Sequence, residues 1–303
     1  MSVLPAISDE RGWAETVRVY VDVTRPKVIG LVLFTGLPAL LLGADVLPDP
    51  VRALWVLLGT AFAGGSSSAL NAWLERESDA RMARTRRRPL PSAILVPNVV
   101  LAYGLLLAVC STAILQVVGG PLAAAVGLGT IVFYVGVYTW WLKPRTPQNI
   151  VIGGAAGATA PLIASAAMHG SINAGAWVMF AIVFLWTPPH FWAIAIFRKA
   201  DYANAGFPMM PQVVGDVRTR QRSLAYTLAL IGVSLLPVWL GDLSVLYGVA
   251  AGVLGLWFTR SVVRSMIADE PAVDYRVFLD SIVYLFVLFG FMLVDLALSW
   301  GMT

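Results

Sequence analysis

Asn71-Ala72-Trp73-Leu74-Glu75-Arg76-Glu77-Ser78-Asp79-Ala80-Arg81-Met82-Ala83-Arg84-Thr85-Arg86-Arg87-Arg88-Pro89-Leu90-Pro91 is the densest charged stretch of a very apolar chain. It follows directly on a long apolar run, so it reads as the exit of a membrane helix. Asn71, Glu75 and Asp79 recur every four residues, which on a helix stacks them along one face with about 40° of drift per step. One amide oxygen and two carboxylates on one face are hard oxygen donors, the kind that Mg²⁺ takes. The arginines that follow suit phosphate. Mixed charges at a helix end also form an ordinary solvated cap, and spacing alone leaves both readings open.

The surrounding chain sets the fold class. Of its 303 residues 58% are hydrophobic and only 13% charged, against about a quarter charged in soluble domains. Nine apolar segments, near 27–44, 51–74, 93–117, 121–142, 150–168, 173–197, 223–241, 243–264 and 277–300, predict an all-α polytopic membrane protein. Its nine transmembrane helices would bundle around a cytoplasm-facing cavity in the lipid bilayer. The net charge of +4 does not mark a nucleic-acid binder, because the basic residues cluster in the connections. The single cysteine, Cys110, excludes an intrachain disulfide and a C-x-x-C-H haem attachment.

Residues 1–24 carry Asp9, Glu10, Glu15 and Asp22 without a continuous apolar core, unlike a signal or transit peptide. They read as a cytoplasmic lead-in with an interfacial helix at Trp13–Val23, ahead of one membrane domain over 25–303. With nine spans, the N-terminus and the loops 75–92, 143–149, 198–222 and 265–276 fall on one side. With the adjoining helix ends they hold every Lys and Arg except Arg52. The positive-inside rule makes that side cytoplasmic, with the C-terminus outside, in the cytoplasmic (inner) membrane.

Two segments stand out inside the bundle. The fifth is rich in Gly and Ala, which lets helices approach closely, and Pro161 kinks it. The sixth contains Trp186-Thr187-Pro188-Pro189-His190. The paired prolines remove two donors and are expected to break or bend that helix toward an internal cavity. A histidine there needs a reason, either a hydrogen bond to a carbonyl freed at the prolines or a ligand.

Asn71-x-x-x-Glu75-x-x-x-Asp79-x-x-Met82-x-Arg84-Thr85-x-x-Arg88-Pro89-Leu90 resembles the first acidic motif of the UbiA-type intramembrane prenyltransferases, most of all their haem-farnesylating branch. Thr24-Arg25-Pro26-Lys27, Tyr138-Thr139-x-x-Leu142-Lys143 with Thr146 and Asn149, Trp186-Thr187-Pro188-Pro189-His190-Phe191-Trp192-Ala193 and Asp201-Tyr202-x-x-Ala205-Gly206-x-Pro208-Met209-x-Pro211 are similar to further stretches of that branch, in order, from about residue 24 to 211. Two departures are plain. Ala72 stands where quinone-type members carry Asp, and the second acidic motif is reduced to Asp201.

The resemblance implies transfer of farnesyl from farnesyl diphosphate to a vinyl group of protohaem IX with water addition, the product serving terminal-oxidase assembly. An oxidase-assembly protein would be a natural partner. It implies Mg²⁺ on Asn71, Glu75, Asp79 and Asp201, and diphosphate contacts from Arg84, Arg88, Lys143, Arg25 and Lys27. Lys143 and the acidic set would be catalytic. Tyr134 and Tyr138, with Trp140 and Trp141, become candidates for the prenyl chain and its allylic cation. His190 becomes a candidate haem ligand. Arg218, Arg220 and Arg222 are candidates for haem propionates, with plain orientation by positive charge as the competing reading. Another prenyl acceptor, such as a quinone precursor, and a transporter built on broken helices remain the alternatives.

Overall fold

The computed structural model describes residues 12–43 and 47–301. The first eleven residues of the lead-in fall outside them. Every regular element among the described residues is helical: α1 (Trp13–Thr24), α2 (Pro26–Leu41), α3 (Pro50–Arg81), α4 (Pro97–Ile114), α5 (Gly120–Val132), α6 (Asn149–Gly157), α7 (Ala160–His169), α8 (Ala174–Phe197), α9 (Lys199–Asn204), α10 (Met210–Val214), α11 (Asp216–Trp239), α12 (Val245–Ala268) and α13 (Pro271–Gly301). Two π-helical segments, Leu115–Gly119 and Phe133–Leu142, extend α4 and α5.

Seven helical stretches are long and apolar enough to cross a membrane, or eight if the bent α1–α2 pair is one span. One of the seven is the 46-residue stretch Pro97–Leu142. As a straight rod it would run about 69 Å, over twice a hydrocarbon core of about 30 Å. It turns back at Gly120, whose φ of 84° and ψ of 177° no helix holds, and α4 packs beside α5.

The helix expected over Trp13–Val23 forms as α1, and its inner side packs through Val23 onto Ala69, Ala72 and Leu90. α1 and α2 meet at 56°. The corner is Arg25, left-handed at φ 58°, directly before Pro26. A proline disfavours the right-handed helical region for the residue before it, and the αL conformation costs a non-glycine roughly 1–2 kcal/mol. The corner therefore holds strain and aims the Arg25 side chain.

Two expectations need correction. Helix α3 runs on to Arg81 rather than ending near 74, so the acidic face stays helical throughout. Helix α8 is unbroken through Pro188 and Pro189. Each proline removes a donor and crowds the carbonyl four residues before it, and α6, α11 and α13, packed on α8, cover the stretch. Trp140 and Trp141 are 64% and 53% exposed. The fifth segment is interrupted, as Pro161 suggested: α6 ends at Gly157 and α7 starts at Ala160 with the proline in its first turn.

The Gly and Ala content of α6 permits close contacts. A methyl on Gly153 would stand 2.1 Å from Tyr138 Cδ2, and one on Gly154 2.9 Å from Thr187 Cγ2. Asp295 accepts from the Ser244 backbone N–H at 2.7 Å and from its hydroxyl, fixing the start of α12 to α13.

Candidate active site

The acidic face of α3 is turned inward. Asn71, Glu75 and Asp79 retain 1%, 6% and 1% of their exposure. A carboxylate taken out of water needs a counter-charge, and each of these side chains has a cationic partner from another segment. Arg25 Nη2 donates to Asn71 Oδ1 at 2.8 Å. Arg88 Nη1 donates to Asp79 Oδ2 at 2.8 Å. Lys143 Nζ forms an ion pair with Glu75 Oε1, although that oxygen receives no bond of hydrogen-bond geometry. The sequence motifs around residues 25, 75, 88 and 143 are thus brought to one place.

Local structure explains how. Asp79 ends the buried face, and its carbonyl accepts from Thr85 Oγ1 at 2.7 Å, folding the post-helical loop back so that Arg88 returns to the Asp79 carboxylate. Asn71 Nδ2 donates to Thr139 Oγ1 at 3.1 Å, and Thr139 donates to the Tyr134 carbonyl at 2.9 Å. Thr139 and Tyr134 lie on the π-helical segment Phe133–Leu142. Its wider turn bonds residues five apart and sets Tyr134, Tyr138 and Lys143 beside the α3 face; π-helical turns often occur at functional sites. The Tyr134 and Tyr138 rings stand 5.0 Å apart.

The second charged loop closes over the same region. Met82, just past Asp79, packs in one buried cluster with Ile150, Trp192, Phe207, Met209 and Met210, and Tyr202 joins its margin. Lys143 Nζ lies 4.8 Å from the Phe207 ring centre, a cation–π contact that ties the α9–α10 connection to the ion pair. Burial and the neighbouring Arg25 lower the Arg88 pKa, while Asp79 opposes them. Guanidinium remains charged at neutral pH all the same. Poorly solvated positive charge of this kind is well placed to receive an anion.

Other expected residues sit differently. Arg84 is exposed on the loop, and Lys27 is exposed on α2 with no side-chain hydrogen bond or ion pair among the described residues. Asp201, on α9, is half-buried, and its carboxylate has no hydrogen bond or ion pair among the described residues. No group of three or more His, Cys, Asp or Glu among the described residues stands close enough to share a metal ion. Arg220 is not free for a propionate, because Asp274 takes it at 3.0 and 2.6 Å and Asp269 takes its remaining arm.

His190 is packed rather than open. Its ring stacks on Trp186 at 4.2 Å and on Phe278 at 4.7 Å, and Nδ1 lies 2.7 Å from Ser281 Oγ. The partner is a hydroxyl of α13, not a carbonyl freed at the prolines. Ser281 Oγ donates to the Phe278 carbonyl at 2.6 Å, so it accepts from His190 Nδ1–H and the lone pair is left on Nε2.

Three contributors were missed in the sequence: Thr139 as the tether of Asn71, Thr85 as the latch of the loop, and Phe207 under Lys143. The first two lie inside the quoted motifs. The third carries no signal, since its contact joins residues 64 positions apart.

Comparison with known proteins agrees with this geometry. The model of the UbiA prenyltransferase family matches residues 32–299. A protohaem IX farnesyltransferase of Azorhizobium caulinodans is 44% identical, over 99% of this chain and 98% of that one. The enzyme of the same name from Parvibaculum lavamentivorans is 42% identical, over 98% and 97%. A solved structure of digeranylgeranylglyceryl phosphate synthase superposes with a TM-score of 0.77 at 15% identity, over 93% of this chain and 99% of that one. A UbiA homologue of Archaeoglobus fulgidus bound to DMAPP and Mg²⁺ superposes at 0.66 and 15% identity, over 89% and 99%. With the family model spanning nearly the whole helical bundle and relatives aligned end to end, the chain belongs to the UbiA prenyltransferase family.

Proposed function

We propose that this membrane enzyme transfers a farnesyl group from farnesyl diphosphate to a vinyl group of protohaem IX, with water addition giving a hydroxyethylfarnesyl haem for terminal-oxidase assembly. The observation that carries the reading is the buried row Asn71–Glu75–Asp79, each member held by a cation. The acceptor is supported by the relatives named protohaem IX farnesyltransferase.

The donor set fits a hard cation: three oxygen-bearing side chains on one helical face, one of them with a buried carboxylate oxygen that meets only the Lys143 ammonium. Asn71, Glu75 and Asp79 would hold Mg²⁺, and Asp201 on α9 would join them only on a movement of the second charged loop, since the three acids do not stand together here. Bound there, Mg²⁺ would offset the charge of the departing diphosphate.

The remaining work falls to the chain's own residues. Lys143 and Arg88 shift from carboxylate to diphosphate oxygens as the allylic C–O bond breaks and its electron pair leaves with the diphosphate, and Arg84 joins them from the loop. Arg25 keeps Asn71 oriented. Tyr134 and Tyr138 line the prenyl chain, and their ring faces steady the allylic cation until the vinyl carbon closes the new C–C bond. Lys27, exposed on α2, is left to the membrane surface.

His190 is the candidate axial ligand of the haem iron, its Nδ1–H fixed by Ser281 in the manner of ligating histidines. Haem absorption in His190→Ala tests this, and an unchanged spectrum with unchanged turnover removes it. For topology we propose nine crossings, counting α2, both limbs of Pro97–Leu142 and the α6–α7 pair as one each, with the charged loops in the cytoplasm. The substrate assignment is tested with purified protein, Mg²⁺, farnesyl diphosphate and either protohaem or 4-hydroxybenzoate. Farnesylated haem is expected, and transfer to 4-hydroxybenzoate but not to haem overturns the assignment.

A further inference from the structure

At the end of the bundle where Arg220 of α11 meets Asp269 and Asp274, α12 and α13 leave a groove of about 660 Å³ between them. It is separate from the acidic face of α3. Its wall on α12 carries Trp257, Arg260 and Arg264, and its wall on α13 carries Val273, Arg276 and Asp280. Arg260 and Arg264 are exposed and have no acidic partner among the described residues. They sit four apart on one helical face, where like charges repel by a few tenths of a kcal/mol. The one acid in the groove is already engaged: Asp280 accepts from Ser261 at 2.6 Å and pairs with Arg276 at 3.7 Å. The groove is thus a concave site with an excess of guanidinium.

Its surroundings are apolar in one direction. Along α12, Val253 and Val249 lie four and eight residues before Trp257 and are 62% and 61% exposed. Along α13, Val283 and Val287 follow Asp280 on the same face and are 48% and 36% exposed. The two stripes run from the groove toward the opposite end of the bundle. A polar cradle at one end and an exposed hydrocarbon track leading from it match a two-part ligand, an anionic head with long apolar tails.

We propose that this groove binds an anionic phospholipid, its phosphate between Arg260, Arg264 and Arg276 and its acyl chains along Val253 and Val283. Basic pockets between transmembrane helices recognise such head groups. General attraction of arginines to the membrane surface would not single these residues out, which supplies the test. The full-length protein in detergent is titrated with phosphatidylglycerol and, separately, phosphatidylcholine of the same chains, with binding read by native mass spectrometry. The Arg260→Gln/Arg264→Gln variant leaves the Arg276–Asp280 pair intact and should bind phosphatidylglycerol about thirtyfold more weakly than the wild type. The Arg86→Gln/Arg87→Gln variant, which loses the same charge elsewhere, should bind as the wild type does, and phosphatidylcholine should bind poorly to all. Equal weakening in both variants, or equal binding of the two lipids, overturns the proposal. Displacement of the lipid by millimolar glycerol phosphate would make the groove a site for free phosphate and overturns it as well.

Discussion

Each acidic or amide side chain of the α3 face is matched to a cation from a different part of the chain, so removing one partner has a defined cost. Lys143 and Glu75 are both largely buried. Lys143→Gln leaves a buried carboxylate unpaired, at a cost of about 3–5 kcal/mol for a fully buried pair. Lys143→Gln should therefore lower both melting temperature and turnover. Glu75→Gln/Lys143→Gln should recover the melting temperature and stay inactive; recovery of turnover would mean the pair is only structural. Asp242, in the α11–α12 turn, gives a pH prediction. One of its oxygens is buried without a partner, and burial raises its pKa. The folded form then holds the proton more tightly than the unfolded one, so stability falls as pH rises above the ordinary carboxylate range. Asp242→Asn should raise the melting temperature by about 2 °C at neutral pH, with the gain vanishing near pH ~4. Thermal scans at the two pH values check it. The row at 71, 75 and 79 was legible because helical spacing is local, whereas its partners had to come from the family resemblance.

Helices were legible from hydropathy, and their ends were not. α3 passes its expected end because Glu75 and Asp79 are drawn inward by Lys143 and Arg88, a tertiary effect that overrides the polar sequence. The π-helical segment left no mark in the sequence, yet it positions Thr139 and Lys143. The prolines of α8 were expected to break or bend it, and the helix runs through them without a break, packed against α6, α11 and α13. The packing of the π segment on α6 gives a test. Gly153→Ala sets a methyl 2.1 Å from Tyr138 Cδ2, so Tyr138 or the helix must move, at about 1–3 kcal/mol. Gly157→Ala meets nothing within 4 Å and should be harmless. Melting temperature and kcat/KM should both fall in the first variant and neither in the second.

At the scale of the molecule, the distribution of Lys and Arg predicts the charged loops on one side, and the structure joins two of them through the cluster of Met82, Phe207 and Met209. That joining was not legible, because its members lie over a hundred positions apart. Topology is measured by cysteine labelling in a Cys110→Ala background. Arg86→Cys should react with an impermeant reagent only from the cytoplasmic side, and Leu47→Cys only from the other. The central claim is that the inward acidic face and its cations form a diphosphate clamp. Diphosphate release from farnesyl diphosphate, with and without Mg²⁺, in wild type and Glu75→Gln/Asp79→Asn inserted equally in membranes, tests it most directly. Mg²⁺-dependent release is expected in the wild type, with a loss of at least ~10²-fold in the variant. Full release in the variant would contradict it.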